Sequence, residues 1–395
     1  MKNSKKHIFY FIVFLGLVSL FSDITYEGAR SITGPFLAFL GASATIVGFT
    51  AGLGEFVGYA LRLISGWILD RTKKYWIILF IGYVINLFAV PALALVESWE
   101  WAVMLILLER IGKAIRTPAR DTMLSYATFQ IGRGLGFGIH EAMDQVGAVT
   151  GPLIVALVFY LKGSYKEAFG VLLVPALITI FILVVAKKLY PAPEKLEIKT
   201  VTLEKTAFSK VFWLYLIGIS LWGAGYVDFA LIAYHLKKTL ITSEEWIPIF
   251  YATAMGMDAL SALILGYLFD KKGLRVILVA IFLSIGFVPL VFLGNSYACF
   301  LGMVLWGIGL GAQESIVRAT VSMLVPKEKR GSGYGIFNTS FGLAWFVGSF
   351  ILGILYDISL PILILFSIST QLLTTLFIIR VLSIINKSRK TSETV

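Results

Sequence analysis

Long apolar segments recur along almost the whole chain and leave little room for anything other than membrane-spanning helices. A helix that crosses a bilayer needs about 20 mostly apolar residues. Hydrophobic residues make up 58% of the 395 positions and charged residues only 14%, against about 25% charged in soluble domains. The sequence therefore predicts an all-α integral membrane protein with twelve transmembrane helices, over residues 8–30, 44–66, 76–96, 101–117, 134–158, 167–189, 211–235, 247–269, 276–294, 297–321, 333–356 and 360–383.

Basic residues between the apolar segments predict the orientation of the helices. Short loops rich in Lys and Arg stay on the cytoplasmic side. Such residues precede the first helix and occupy every second connection, so we expect both termini to be cytoplasmic. The start of the chain resembles a signal peptide, but no A-x-A-like cleavage site follows, and we expect a retained first helix. The basic residues are Lys2, Lys5, Lys6, Arg71, Lys73, Lys74, Arg116, Arg120, Arg133, Lys271, Lys272, Arg275, Lys327, Lys329, Arg330, Arg389 and Lys390.

Two short motifs occur twice, at nearly the same distance along the chain. GWILDR at 66–71 returns as GYLFDK at 266–271, and RGLGFGI at 133–139 returns as RGSGYGI at 330–336. These offsets of 200 and 197 residues predict a duplicated six-helix unit with both copies in one orientation. We expect six-helix bundles at 1–189 and 210–386, joined by a polar cytoplasmic linker at 190–209, with a cytoplasmic tail at 387–395.

The first of these motifs resembles the loop signature of the major facilitator superfamily, Gly-x-Leu-x-Asp-Arg-x-Gly followed by basic residues. The resemblance implies the two-bundle fold, secondary transport, and a charge latch at this loop that holds one conformation closed. Lys73 stands where the family usually has Gly. Small residues let helices approach closely in bilayers, so we expect Gly66 to pack closely against a neighbour. The residues that match the signature in the two copies are Gly66, Asp70, Arg71, Gly266 and Asp270.

A second similarity to this family lies on the fifth helix. The family's antiporter signature is Gly, eight residues, Gly, three residues and Gly-Pro, and Gly138, Gly147, Gly151 and Pro152 have that spacing. The two glycines that often follow are absent. A proline inside a helix kinks it, so the resemblance implies that these residues act through helix packing. The stretch GKAIRTPARD at 112–121 also resembles a motif of prokaryotic efflux-type members.

Charged residues inside the apolar segments point to function. Asp23, Glu27 and Arg30 fall within an arc of roughly 60° on the first helix. A charge at the bilayer centre costs about 2.5–3.5 kcal/mol on insertion scales, so this face must point into protein or water. Asp23 and Glu27 form a like-charge pair that could hold one proton, and we interpret them as proton-coupling groups. A salt-bridge network that only fixes helix packing is the alternative.

Further intramembrane charges extend the predicted site to other helices. Two acid-first pairs spaced four apart, Glu109–Lys113 and Glu314–Arg318, are interpreted as structural salt bridges. His235, near the outer end of the seventh helix, is expected at the surface. The candidate substrate- or proton-binding residues are Asp23, Glu27, Arg30, Glu55, Arg62, Arg110, Asp144 and Asp228.

These features predict secondary transport by alternating access. The Gly-rich run at 307–312 lies in a span with no strand before it, so it is not a nucleotide-binding loop. We expect proton-coupled export of a small organic or drug-like compound; the alternative is a proton-coupled symporter that imports a small metabolite held by arginines. A membrane enzyme or receptor would need a catalytic cluster or a sizeable soluble domain. We therefore expect a multi-pass monomer of the cell membrane without catalytic activity, cofactor, metal site or nucleic-acid partner.

Overall fold

The computed structural model describes residues 2–131, 133–162, 164–191, 208–325 and 330–393, which are almost entirely helical and contain no strand. The predicted linker at 190–209 lies mostly outside the described residues, as do Lys327 and Lys329. The α-helices are α1 (Lys2–Phe39), α2 (Ala44–Thr72), α3 (Tyr75–Ala92), α4 (Trp99–Ile131), α5 (Arg133–Lys162), α6 (Tyr165–Val171), α7 (Leu173–Leu189), α8 (Lys210–Gly225), α9 (Phe229–Thr239), α10 (Trp246–Lys272), α11 (Arg275–Ile285), α12 (Phe287–Leu293), α13 (Ser296–Ala312), α14 (Arg318–Leu324), α15 (Arg330–Ile358) and α16 (Leu360–Glu393).

Eleven helical segments in the described ranges are long and apolar enough to cross a membrane. Several of them join consecutive helices, as α8 and α9 do within Lys210–Thr239. The sequence predicted twelve spans, and the segment that falls short is α4. Its 33 residues exceed the length that a span needs, but they include five charged residues between positions 109 and 120. The all-helical, multi-pass membrane class is confirmed, whereas the twelfth span and the side of the termini stay predictions.

Helix α4 is longer than its apolar run, and this changes the location of two basic residues. The prediction ended the helix at residue 117 and counted Arg116 and Arg120 as cytoplasmic loop charges. In the structure α4 continues to Ile131, and the Arg116 side chain is fully buried. The interpretation as loop charges is wrong because a polar helical turn that packs against other helices has no apolar signature.

The described residues group into two compact units. The first contains residues 2–42, 57–131, 133–162, 164–191 and 242–252, and the second contains 43–56, 208–241, 253–325 and 330–393. In the first unit, apolar side chains from α1, α3, α4 and α7 form a common core that includes Phe11, Leu79, Met123 and Leu183. This core supports one end of α1, so the charged residues further along that helix start from a fixed position.

The ends of α2 and α10 have the same backbone conformation. Lys73 has φ +55° and Gly273 has φ +63°, and each donates its amide to the carbonyl four residues earlier, on Leu69 and Phe269 respectively. A left-handed residue at this position is a common helix end and is usually Gly. The two positions are 200 residues apart, which is the offset of the repeated motif that precedes them.

Candidate substrate and proton site

The charged face of α1 is buried in the first unit. Asp23 is 4% exposed and Glu27 is 7% exposed, while Arg30, one turn further along, is partly buried. Burying a carboxylate away from water is costly unless it has a partner. The two acids therefore lie on the protein-facing side of α1, as the sequence predicted from their shared arc.

Two glycines of α5 bring that helix into backbone contact with α1 beside the acids. A Cβ at Gly147 would clash with the Leu20 carbonyl and lie 2.8 Å from Cβ of Asp23. A Cβ at Gly151 would clash with the Ile24 carbonyl and lie 2.9 Å from the Gly28 amide nitrogen. These glycines set how near α5 can come to Asp23. Pro152 follows them inside an otherwise continuous helix.

Glu27 joins α1 to two other helices. Its Oε1 lies 3.9 Å from Nζ of Lys113 on α4, and Oε2 accepts a 2.5 Å hydrogen bond from the Tyr251 hydroxyl on α10. The Lys113 ammonium also lies 3.8 Å from the centre of the Tyr26 ring. Glu27 thus has a cation and a neutral donor as partners, and protonation of the carboxyl would remove the ionic one.

Lys113 is the first of three cations that share one face of α4. Arg116 and Arg120 follow it at spacings of three and four residues, which place all three side chains on the same side of a helix. Nη1 of Arg116 donates to the Tyr83 hydroxyl at 3.1 Å, and its guanidinium lies 4.4 Å from the centre of that ring. This row faces the acids of α1.

A second carboxylate cluster lies where Arg120 meets α5. Nη1 of Arg120 lies 3.6 Å from Oδ2 of Asp144 and donates to the Ser19 hydroxyl at 3.1 Å. Its Nε lies 3.0 Å from Oδ1 of Asp121. Nδ1 of His140 lies 3.4 Å from the same Asp144 oxygen. Asp144, predicted from sequence, thus belongs to the same group of helices as Asp23 and Glu27.

The Glu109–Lys113 pair predicted from their spacing does not form. Glu109 instead lies 3.4 Å from Nε of Arg110 and accepts a 2.7 Å hydrogen bond from Asn86 on α3. Lys113 pairs with Glu27 as described above. Tertiary contacts override the within-helix pair because a pair spaced four apart contributes only about 0.2–0.5 kcal/mol.

In the second unit, Asp228 and His235 each form a hydrogen bond within the protein. Asp228 begins α9, and its side chain accepts a 2.9 Å hydrogen bond from the Ala230 amide as a helix cap. His235 is 1% exposed, and its Nδ1 lies 2.9 Å from the Tyr356 hydroxyl. The prediction that His235 lies at the surface is therefore wrong, because α15 covers this part of α9.

The glycines and charges of the loop signature are in open surroundings. A Cβ at Gly66 would meet only Cβ of Pro118, at 3.8 Å, so the expected close packing there is absent. Gly266 of the second copy has nothing within 4 Å of such an atom, and the same holds for Gly138 of the α5 signature. Asp70 and Asp270 are exposed, and the Arg71 guanidinium lies 4.0 Å from the Trp67 ring centre.

Glu55 and Arg62 are partly buried on α2, in different compact units. The Arg62 guanidinium lies 5.4 Å from the centre of the Tyr59 ring. A role for these two residues in transport stays a prediction.

Sequence reasoning missed several residues that surround the acids. The spacing of Lys113, Arg116 and Arg120 was a usable signal, since it matches one face of a helix. The tyrosines carried no signal, because only the fold brings Tyr26, Tyr83 and Tyr251 to the charges.

Buried opposite charges on neighbouring helices of a multi-pass membrane protein are typical of substrate and ion pathways. The sequence profile of the Major Facilitator Superfamily matches residues 8–349. The chain belongs to this superfamily of membrane transporters and is a multi-pass protein of the cell membrane.

Its relatives extend over nearly the whole chain. An uncharacterized protein of Mycobacterium tuberculosis is 38% identical over 379 residues, 94% of this chain and 93% of the relative. An uncharacterized MFS-type transporter of Methanocaldococcus jannaschii is 28% identical over 362 residues, 88% and 89% of the two chains.

Solved transporter structures have the same fold. The nucleoside transporter NupG has a TM-score of 0.77 at 14% identity, covering 93% of this chain and 98% of NupG. The peptide transporter POT, in complex with sulfate, has a TM-score of 0.73 at 14% identity, covering 95% and 94%. At these identities the likeness concerns the fold.

Proposed function

We propose that this protein is a proton-coupled secondary transporter that exports a small organic compound by alternating access. The observation that carries the proposal is the buried Glu27, whose carboxylate is paired with Lys113 and bonded to Tyr251. A buried carboxylate with a breakable ion pair can bind and release a proton. The α5 glycine spacing, which in this superfamily marks antiporters, supports export.

The proposed cycle uses Glu27 and Asp23 as alternate carriers of proton and substrate. With the site open to the outside, the substrate leaves and one of the two carboxyls takes a proton. If Glu27 takes the proton, it can no longer form an ion pair with Lys113, so the contact between α1 and α4 weakens. With the site open to the cytoplasm, the proton leaves and substrate binds again.

We further propose that α4 is the twelfth span, with both termini cytoplasmic. By composition alone, α4 carries too many charges for a membrane span. However, Glu109 and Arg116 are buried, and Lys113 and Arg120 contact α1. Intramembrane charges are tolerated where they face protein rather than lipid. Twelve spans also fit a duplicated unit of six helices.

A second candidate is proton-coupled import of a small anionic metabolite. The row of three cations on α4 favours it, since Lys113, Arg116 and Arg120 could hold an anion. The sequence named Arg30, Arg62 and Arg110 for this role, and Arg110 already lies 3.4 Å from Glu109.

Proton coupling can be tested on purified protein in liposomes with an imposed pH gradient. Internal pH is followed while cationic dyes, organic acids and sugars are added in turn. We expect a substrate-dependent pH change that disappears in Glu27→Gln, which keeps the size of the side chain but cannot be ionised. Glu109→Gln is the matched control, because this buried acid on α4 should retain the bond from Asn86. Normal proton-driven flux in Glu27→Gln would remove the central claim.

A further inference from the structure

Helices α1 and α4 face each other in a regular antiparallel register. Ser19 lies opposite Arg120, joined by a 3.1 Å hydrogen bond, and Glu27 lies opposite Lys113 at 3.9 Å. Asp23 lies midway between Ser19 and Glu27 on α1. Arg116 lies three residues from Lys113 and four from Arg120, close to the middle of the facing stretch of α4. The register therefore places Asp23 and Arg116 at the same level, as the middle pair of three.

The middle pair, Asp23 and Arg116, does not form an ion pair. Arg116 makes no ion pair with any described residue. Oδ1 of Asp23 is buried without a hydrogen-bond partner. Asp23 is nevertheless among the charges that act on Arg116. The two residues lie at about the same level, yet no ion pair joins their charged ends.

The unpaired atoms of Arg116 form one binding edge. Nη1 is held by the Tyr83 hydroxyl, whereas Nε and Nη2 are buried without partners. Nε and Nη2 lie on the same edge of the planar guanidinium, and two parallel N–H groups match the two oxygens of a carboxylate. Tyr83 and Tyr26 flank the group, with ring centres 4.4 Å and 5.6 Å from it.

A buried arginine whose Nε and Nη2 lack partners, as in Arg116, is suited to binding an anion. An isolated charge in a protein interior is strongly unfavourable. Buried N–H groups without a hydrogen-bond partner add to that cost. Arg116 is fully buried, so bulk water does not compensate it. On the opposite side, the open Asp23 oxygen calls for a donor. One ligand could supply both groups only if it carries an oxyanion and an N–H donor close together.

We propose that Arg116 and Asp23, through their unpartnered atoms, form the subsite that binds the zwitterionic head of an amino-acid-like substrate. The carboxylate of the substrate accepts from the Nε–Nη2 edge of Arg116, and its ammonium donates to Asp23. The inference rests on the proposed transport function and names its substrate class. Protonation of Asp23 removes the counter-charge of the ammonium, so proton and substrate compete at Asp23, as an antiporter requires.

The subsite can be tested by binding alone, without transport. Thermal unfolding of the purified full-length protein is measured with a mixture of the twenty standard amino acids, and then with each one. For every amino acid that stabilises, the analogue without the amino group and the amine without the carboxylate are compared. With phenylalanine these are 3-phenylpropionate and phenethylamine. We expect a rise in Tm of several degrees with the zwitterion and a smaller or absent rise with either analogue.

Two variants separate the two ends of the subsite. Arg116→Lys keeps the charge but loses the paired N–H edge, so the rise in Tm with the amino acid should be lost. Asp23→Asn should abolish the advantage of the zwitterion over its des-amino analogue. Arg275→Lys, an exposed arginine on α11, is the control and should respond like the unchanged protein.

Three results would overturn the subsite. They are no stabilisation by any amino acid, equal stabilisation by the analogues, or a full response in Arg116→Lys. If amino acids fail while a dye or amine drives proton flux in liposomes, the subsite falls and the proposed function stands. If amino acids bind through Arg116 but no compound moves protons, the subsite stands and proton coupling falls.

Discussion

Lys73 occupies a backbone conformation that an L-residue adopts at a cost. Its φ of +55° matches the +63° of Gly273 at the equivalent place in the second copy. A left-handed conformation costs about 1–2 kcal/mol for a residue with a Cβ. The resemblance to the loop signature identified Lys73 as the departure from the family pattern, and the structure places that residue in the left-handed conformation that Gly adopts more easily.

Exchanging the residues at these two positions should have unequal effects. Lys73→Gly relieves the strain but adds about 0.5–1 kcal/mol of chain entropy to the unfolded state, so stability should stay within about 1 kcal/mol of the original. Gly273→Lys introduces the strain and should destabilise by about 1–2 kcal/mol. Thermal unfolding in one detergent measures both. A clear loss of stability in Lys73→Gly, or none in Gly273→Lys, would contradict this account.

The acids of α1 and His235 show how far single residues can be located from sequence. Asp23 and Glu27 were predicted to point away from lipid because three charges share one arc, and they are buried. His235 was placed at the surface from its position near a helix end. Tyr356, 121 residues away along the chain, covers it, and no local pattern reports such a contact.

At the scale of elements, the contact between α1 and α5 depends on two of the three signature glycines. Gly147 and Gly151 lie against the backbone of α1, whereas Gly138 has open space around it. The shared spacing in the sequence therefore does not mean a shared role in this conformation. Gly147 and Gly151 allow the close approach, and Gly138 is free of any helix contact that a side chain would disturb.

Larger residues should affect stability differently at Gly147, which contacts α1, and at Gly138, which has open space around it. Gly147→Leu must push α5 away from Leu20 and Asp23, and overpacking of this kind costs about 1–3 kcal/mol. Gly138→Ala meets no neighbour and removes a glycine from a helix, which should stabilise by about 0.5–1 kcal/mol. Tm values of the two purified variants give the comparison. Equal destabilisation by both would show that the α1–α5 contact is not the reason for the glycine.

For the whole molecule, the number of spans decides the side of every later loop. If α4 crosses the membrane, the loop at Lys74 and the loop at Leu240 lie on opposite faces. If α4 does not cross, both lie on the same face. Leu240 is 79% exposed at the end of α9, and Lys74 is exposed between α2 and α3, so both positions can be labelled.

Single cysteines at these positions test the count directly. The chain has one natural cysteine, Cys299, which is buried, and Cys299→Ser provides the background. We expect a membrane-impermeant maleimide to label Leu240→Cys in intact cells and Lys74→Cys only after permeabilisation. Labelling of both in intact cells, or of neither, would show that α4 does not span.

The sequence by itself determined the membrane class, the helical fold and the position of the α1 acids. Hydrophobic length and helical periodicity act over neighbouring residues, so they can be read without a fold. The tertiary structure decided which charges meet. Lys113 pairs with Glu27 rather than with Glu109. Arg116 lies in the interior rather than in a loop, and Tyr251 donates a hydrogen bond to Glu27. These choices depend on the register between helices, because a pair within one helix contributes only about 0.2–0.5 kcal/mol and does not determine which charges meet across helices.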